Sequence, residues 1–112
     1  MIGELTPLEI SILVGLVSTL DDLAGRPVPS GYGVGMDRRR VLDAREGLVE
    51  CRSIRCHASN RMQTSRAYGD LDRRGLIERV ALGSGTATTH LRITDDGRAI
   101  AEQLRAEAAR DG

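Results

Sequence analysis

The stretch Ser65-Arg66-Ala67-Tyr68-Gly69-Asp70-Leu71-Asp72-Arg73-Arg74-Gly75-Leu76-Ile77-Glu78-Arg79 reads as the close of a helix, a glycine stop and the opening of a strand. Ser59 or Asn60 can cap this helix, which is therefore expected over residues 59–74. Downstream, residues 76–82 form the first strand. Gly83-Ser84-Gly85 opens a turn, and residues 86–93, rich in β-branched side chains, return as a second strand. Thr94-Asp95-Asp96-Gly97 then caps a last helix over residues 95–110. Its apolar positions Ile100, Leu104 and Ala108 recur every four residues, and Arg98 and Glu102 are spaced for an ion pair.

Upstream, Thr6-Pro7-Leu8-Glu9 opens a helix over residues 6–23: Thr6 can cap, Pro7 suits the first helical position, and Glu9 can return a hydrogen bond to the cap. Leu8, Ile12, Leu16, Leu20 and Leu23 follow the helical period, while Ile10, Leu13, Val14 and Val17 make the other faces apolar too. Such a helix needs cover on more than one side, which a second subunit or a core wrapped fully around the helix would supply, and a dimer through this helix is expected. A loop rich in Gly and Pro follows over residues 25–36. A second helix is expected over residues 37–56, with Asp37 as cap, Val41, Leu42, Leu48 and Ile54 as apolar positions, and Gly47 as a point of interruption. Residues 44–50 echo residues 72–78, but a single echo is no repeat array and is read as coincidence.

The 112 residues suit one domain spanning 1–112, with 16 basic and 16 acidic side chains. Every base is Arg. Residues 1–24 hold four acids and no base, residues 25–79 twelve Arg against seven acids, and residues 80–112 four Arg against five acids. From Cys51 to Gly69 there are four Arg and no carboxylate, the densest one-sign stretch for meeting phosphates. With no Phe, no Trp and two Tyr, the chain has no aromatic platform for unstacked bases, which argues against a single-strand or RNA binder. No stretch has the length and apolarity of a membrane span and the N-terminus lacks a signal-peptide flank, so a cytoplasmic protein is expected. Two cysteines are too few for a disulfide framework.

In these residues, together with His90-Leu91-Arg92-Ile93-Thr94-Asp95-Asp96-Gly97-Arg98, the chain resembles the MarR and PadR classes of winged helix-turn-helix transcription regulators. The likeness is close over residues 59–100. In those classes a Ser-Arg pair sits in the recognition helix, Leu-x-x-x-Gly-Leu-Ile-x-Arg marks its exit into the wing, and Ile-Thr-x-x-Gly-Arg enters the last helix. The resemblance implies a mainly helical fold with a small β-hairpin: three helices, a two-stranded wing over residues 76–94 and a C-terminal helix. It also implies a homodimer that binds double-stranded DNA and is no enzyme. The single short helix after the wing is closer to the PadR-like form.

At 100° per residue, Thr64, Ala67, Tyr68 and Leu71 share the core side of the recognition helix, whereas Ser59, Met62, Arg66, Gly69 and Arg73 lie opposite, flanked by Gln63 and Ser65. Arg66 can fork onto guanine and Gln63 onto adenine. Arg61, Ser65 and Arg73 suit phosphates, as do the hydroxyls of Thr86 and Thr88 in the wing, and Asn60 joins the set from the helix start. A protein-binding winged-helix module in a replication, partition or phage-encoded assembly is the alternative, favoured by the zero net charge and by a wing tip, residues 83–89, without Arg or Lys. Cys51, Cys56, His57 and His90 do not have the spacing of a zinc site, so no metal or other cofactor is expected. Arg52 and Arg55 would favour a thiolate if Cys51 and Cys56 were a redox pair, but ordinary small core residues are expected. Neither an operator nor a small-molecule effector is specified by these residues.

Overall fold

The structure is a computed structural model and describes residues 5–54, 60–83 and 85–111; Ser59, Arg55, Cys56, His57 and Ser84, all considered above, lie outside them. Four α-helices, α1 (Pro7–Ala24), α2 (Gly35–Arg45), α3 (Arg61–Arg73) and α4 (Asp95–Asp111), accompany three short strands, β1 (Leu48–Glu50), β2 (Ile77–Val80) and β3 (His90–Ile93). The strands form one antiparallel sheet in the order β1-β3-β2. The fold is thus mainly helical with a small three-stranded sheet. No helix among the described residues is long and apolar enough to cross a membrane.

The start of α1 is the expected capping box: Glu9 N–H donates to Thr6 Oγ1 at 3.2 Å, and Thr6 N–H donates to Glu9 Oε1 at 2.9 Å. Leu13 and Val17 are fully buried within this one chain, in the same core as Ile12, Leu16 and Leu20. This corrects the expectation that the whole second face of α1 lacks cover. Packing on α2, α3, α4 and the sheet leaves only Ile10 and Val14 of that face partly exposed. On α4, Ala101 and Leu104 are buried and Ile100 half-buried, whereas Ala108, on the same face one turn further along, is exposed.

The second helix departs most from expectation. It begins at Gly35 behind Val34, with Asp37 in its first turn instead of at the cap, and it stops at Arg45 rather than continuing to residue 56. Gly47, at φ +87°, ends it in a conformation costly for any side chain. Leu48, Val49 and Glu50 then become a third strand paired with Arg92, Leu91 and His90, so the sheet is not two-stranded. Leu42 is left exposed. A 3₁₀ turn over Cys51–Ser53 follows.

Gly75, at φ +74°, repeats the device after α3: its N–H donates to the Asp72 carbonyl and the Leu76 N–H to the Leu71 carbonyl, while both leucines are buried. Residues 44–50 and 72–78 therefore share a structure, helix end, left-handed glycine and strand start, on the two strands that flank β3. Their likeness is not coincidental. The hairpin ladder is shorter than expected, since the Thr89 side chain replaces its next rung: Leu82 N–H donates to Thr89 Oγ1 at 2.9 Å.

Thr94 caps α4, accepting from the Gly97 N–H at 3.0 Å and donating to the Gly75 carbonyl at 2.6 Å. Gly97 is buried, and a Cβ there would collide with the Leu76 carbonyl, which is backbone and cannot move aside. Gly97→Ala is expected to destabilise the protein by about 2–3 kcal/mol and lower Tm by about 10 °C in thermal melting. Gly35→Ala, whose added Cβ meets nothing within 4 Å, is the control and should be neutral or slightly stabilising.

Candidate nucleic-acid interface

Asn60 starts α3 by accepting from the Gln63 N–H at 2.9 Å, so its side chain serves as the helix cap. Ala67, Tyr68 and Leu71 turn into the core with Thr64 half-buried beside them, as the angular reading requires. Arg61, Met62, Gln63, Ser65, Arg66 and Arg73 are exposed on the remaining faces. Among the described residues Arg61 and Arg66 have no carboxylate within ion-pair distance, whereas Arg73 is paired with Asp70 one turn back.

Between α3 and the hairpin lies an open groove of about 760 Å³. Asn60, Arg61, Thr64 and Ser65 line its helix side, Ala87 and Thr88 its hairpin side, and Arg52, Arg79, Cys51 and Tyr68 complete it. Of the expected residues it therefore gathers Asn60, Arg61, Ser65 and Thr88. Thr86 is exposed in the hairpin loop, and Met62, Gln63 and Arg66 point elsewhere on the helix surface. Arg66, Gly69, Asp70, Arg73 and Arg79 surround a second hollow of about 460 Å³, where the Arg79 guanidinium lies 3.8 Å from the place a Cβ on Gly69 would take.

Arg52 and Arg79 were not singled out from the sequence as site residues, although both lie in stretches rich in Arg. Arg79 shares the core-facing side of the sheet with Leu91 and reaches α3, where its Nε donates to Asp72 at 2.8 Å. Arg52 Nε donates to Glu50 at 2.7 Å, and Arg40 Nε donates to the other oxygen of the same carboxylate at 3.0 Å. The bond from Arg52 is the main reason that the Glu50 carboxyl titrates below its ordinary range; burial opposes it and Arg40 adds to it.

Cys51 is a partly buried thiol without the thiolate character that a redox role beside Arg52 would need. Burial pushes its pKa up, only partly offset by the Tyr68 hydroxyl, which donates to the sulfur. Arg52 gives its Nε–H to Glu50. A polar cluster that the sequence did not suggest joins α2 to the hairpin base: the buried Asp43 faces Arg39 at 3.4 Å and His90 Nε2 at 3.7 Å. His90 Nδ1 lies 2.8 Å from Thr89 Oγ1, a hydroxyl that also bonds the Val80 carbonyl and the Leu82 N–H. Among the described residues no three His, Cys, Asp or Glu side chains gather in a way that could hold a metal ion. Compared with known protein families, curated proteins and solved structures, the chain finds no match.

The Glu50 clamp sets a pH dependence. A carboxyl titrating lower in the folded chain than in the unfolded one contributes stability that is complete above about pH 4.3 and is lost as pH falls through its folded pKa. Denaturant titrations should show Glu50→Gln less stable than the parent at pH 7, with the difference shrinking as pH drops below about 4.

Proposed function

We propose that this chain is a winged helix-turn-helix protein of MarR or PadR character that binds double-stranded DNA sequence-specifically, as a homodimeric transcriptional regulator. The observation that carries the reading is the exposed face of α3, where Arg61 and Arg66 face no described carboxylate beside a groove that Arg52, Arg79 and Thr88 also line. In a chain of zero net charge, guanidinium groups left unneutralised on one helix are the part suited to phosphates and guanine edges.

In this scheme α3 enters the major groove with α1 and β2 at its back; the described residues between β1 and α3 form only the 3₁₀ turn. Arg66 presents two N–H donors in a plane, the geometry of guanine O6 and N7, and Gln63 offers a donor and an acceptor to adenine. Met62, two-thirds exposed, meets a thymine methyl. The groove between α3 and the hairpin takes a phosphate strand, contacted by Arg61 and the hydroxyls of Ser65 and Thr88. Arg73, held by Asp70, offers its remaining donors, and Gly69 allows close approach of the duplex. Without charge at residues 83–89, the wing adds little in the minor groove.

In Leu-x-x-x-Gly-Leu-Ile-x-Arg, Leu71, Leu76 and Ile77 are core, Gly75 is the left-handed stop, and Arg79 ties strand to helix. In Ile-Thr-x-x-Gly-Arg, Thr94 is the cap, Gly97 the close crossing, and Arg98 the partner of Asp21 on α1. The dimer is placed on the α1–α4 side, where half-buried Ile10 and Val14 border a groove with Leu104 and Ala108. Light scattering at tens of micromolar should return twice the chain mass, and a monomer would remove this part of the reading.

On a preferred duplex Arg66→Ala and Gln63→Ala should each lose about 1–3 kcal/mol, with little change on random DNA. Arg61→Ala should weaken both alike and reduce the salt slope by about one unit. Melting of these variants should stay within a few degrees of the parent, since exposed substitutions seldom exceed about 0.5 kcal/mol. Folded variants with unchanged affinity in a gel shift would take α3 out of the interface and favour a protein partner.

A further inference from the structure

On the side of the 3₁₀ turn away from α3 there is a separate hollow of about 660 Å³. It lies between the C-terminal half of α1, α2 and the turn, and Ser18, Thr19, Asp22, Arg26, Arg40, Arg52 and Ser53 line it with Leu23. Three guanidiniums and three hydroxyls thus share the lining with Asp22, and Glu50 and Asp37 lie against the arginines from outside it. That volume falls within the range of small-ligand sites, and arginine forks with hydroxyl donors are the groups that recognise oxyanions.

The arginines are held without being used up. Glu50 takes the Nε–H of Arg40 and of Arg52 on its two oxygens, which leaves the Nη groups of Arg52 without a described partner and those of Arg40 with only Asp37, at 3.6 Å. Arg26 spends one Nη on Asp22 at 2.7 Å. A guanidinium carries five donors, so each retains several. Asp22, Asp37 and Glu50 offset the three positive charges, so what the hollow offers is its spare N–H donors and hydroxyls, which suit the several acceptor oxygens of a phosphate group.

We propose that this hollow binds the phosphate group of a small phosphorylated metabolite, through Arg26, Arg40 and Arg52 with Ser18, Thr19 and Ser53. Arg52 also lines the groove beside α3, so an anion that draws Arg52 to its side removes positive charge from that groove. Occupancy of the hollow therefore lowers affinity for DNA. This second step rests on the DNA-binding reading; the binding of the anion does not.

Inorganic pyrophosphate is the probe, titrated calorimetrically into the full chain at an ionic strength held constant with potassium chloride. Saturable binding is expected, weakened about tenfold or more in Arg26→Gln and Arg52→Gln, each of which removes a charged hydrogen-bond donor. It should be unchanged in Arg61→Ala and Arg66→Ala. Arg26 is exposed and its side chain bonds only Asp22 among the described residues, so Arg26→Gln should fold as the parent does. No binding at millimolar pyrophosphate overturns the proposal, as does binding lost in the α3 variants but kept in Arg26→Gln.

A labelled duplex followed by fluorescence anisotropy separates the two steps. Pyrophosphate should weaken duplex binding by the parent, and Arg26→Gln should bind the duplex as the parent does while losing that response. If Arg26→Gln itself weakens the duplex as much as Arg61→Ala, the hollow is a contact for DNA phosphate and the metabolite site falls. If no duplex binds at all, the DNA reading falls and the calorimetric result alone decides the anion site.

Discussion

The hydroxyl of Thr94 donates to the Gly75 carbonyl and accepts from the Gly97 N–H, and three elements meet at that point. Gly75 ends α3, Thr94 follows β3, and Gly97 lies in the first turn of α4, close enough to the Leu76 carbonyl that no side chain fits. The same crossing sends α4 back across α1, where Arg98 and Arg105 both reach Asp21. The pitch of α3 against the sheet, and with it the direction of its exposed face, depends on this contact between backbones. Side chains of the core fill the space that the crossing defines.

Charge follows the same local logic. The Arg and carboxylate side chains are equal in number, yet they are not evenly paired. Asp22, Asp43, Glu50, Asp70, Asp72 and Glu78 each lie beside a guanidinium. Most of these pairs are exposed and contribute little to stability, about 0–1 kcal/mol each. Their larger effect is to silence one arginine while leaving its neighbour available. Glu50 differs from the rest because it holds two guanidiniums from outside its own helix or strand by their Nε–H groups, with Arg52 bordering two hollows.

Elements with a chemical boundary in the chain were readable from it. Thr6 and Glu9, Asn60, Gly75, and the Thr94 to Gly97 turn each act through bonds within a few residues, so α1, α3 and α4 emerged within about two residues of their limits. β1 was not readable in this way. Leu48-Val49-Glu50 is too short to display an alternation, and what makes it a strand is β3, far along the chain. The face of α3 followed from helical angle alone, since each side chain's direction is fixed by position. Arg52 and Arg79 stand outside the expected site because their roles depend on which carboxylate they reach, a matter of packing between elements rather than of sequence spacing.

The packing of α1 against α4 has a consequence for how the chain acquires its structure. Contacts between the first helix and the last are the longest in sequence that the fold contains, and the central strand β3 is also the last of the three to be made. The first helix can pack on α2 as soon as both are formed, but its contact with α4, like the pairing of β1 with β3, must close over a long stretch of chain. Non-local closure of this kind slows folding relative to a bundle built from neighbouring helices.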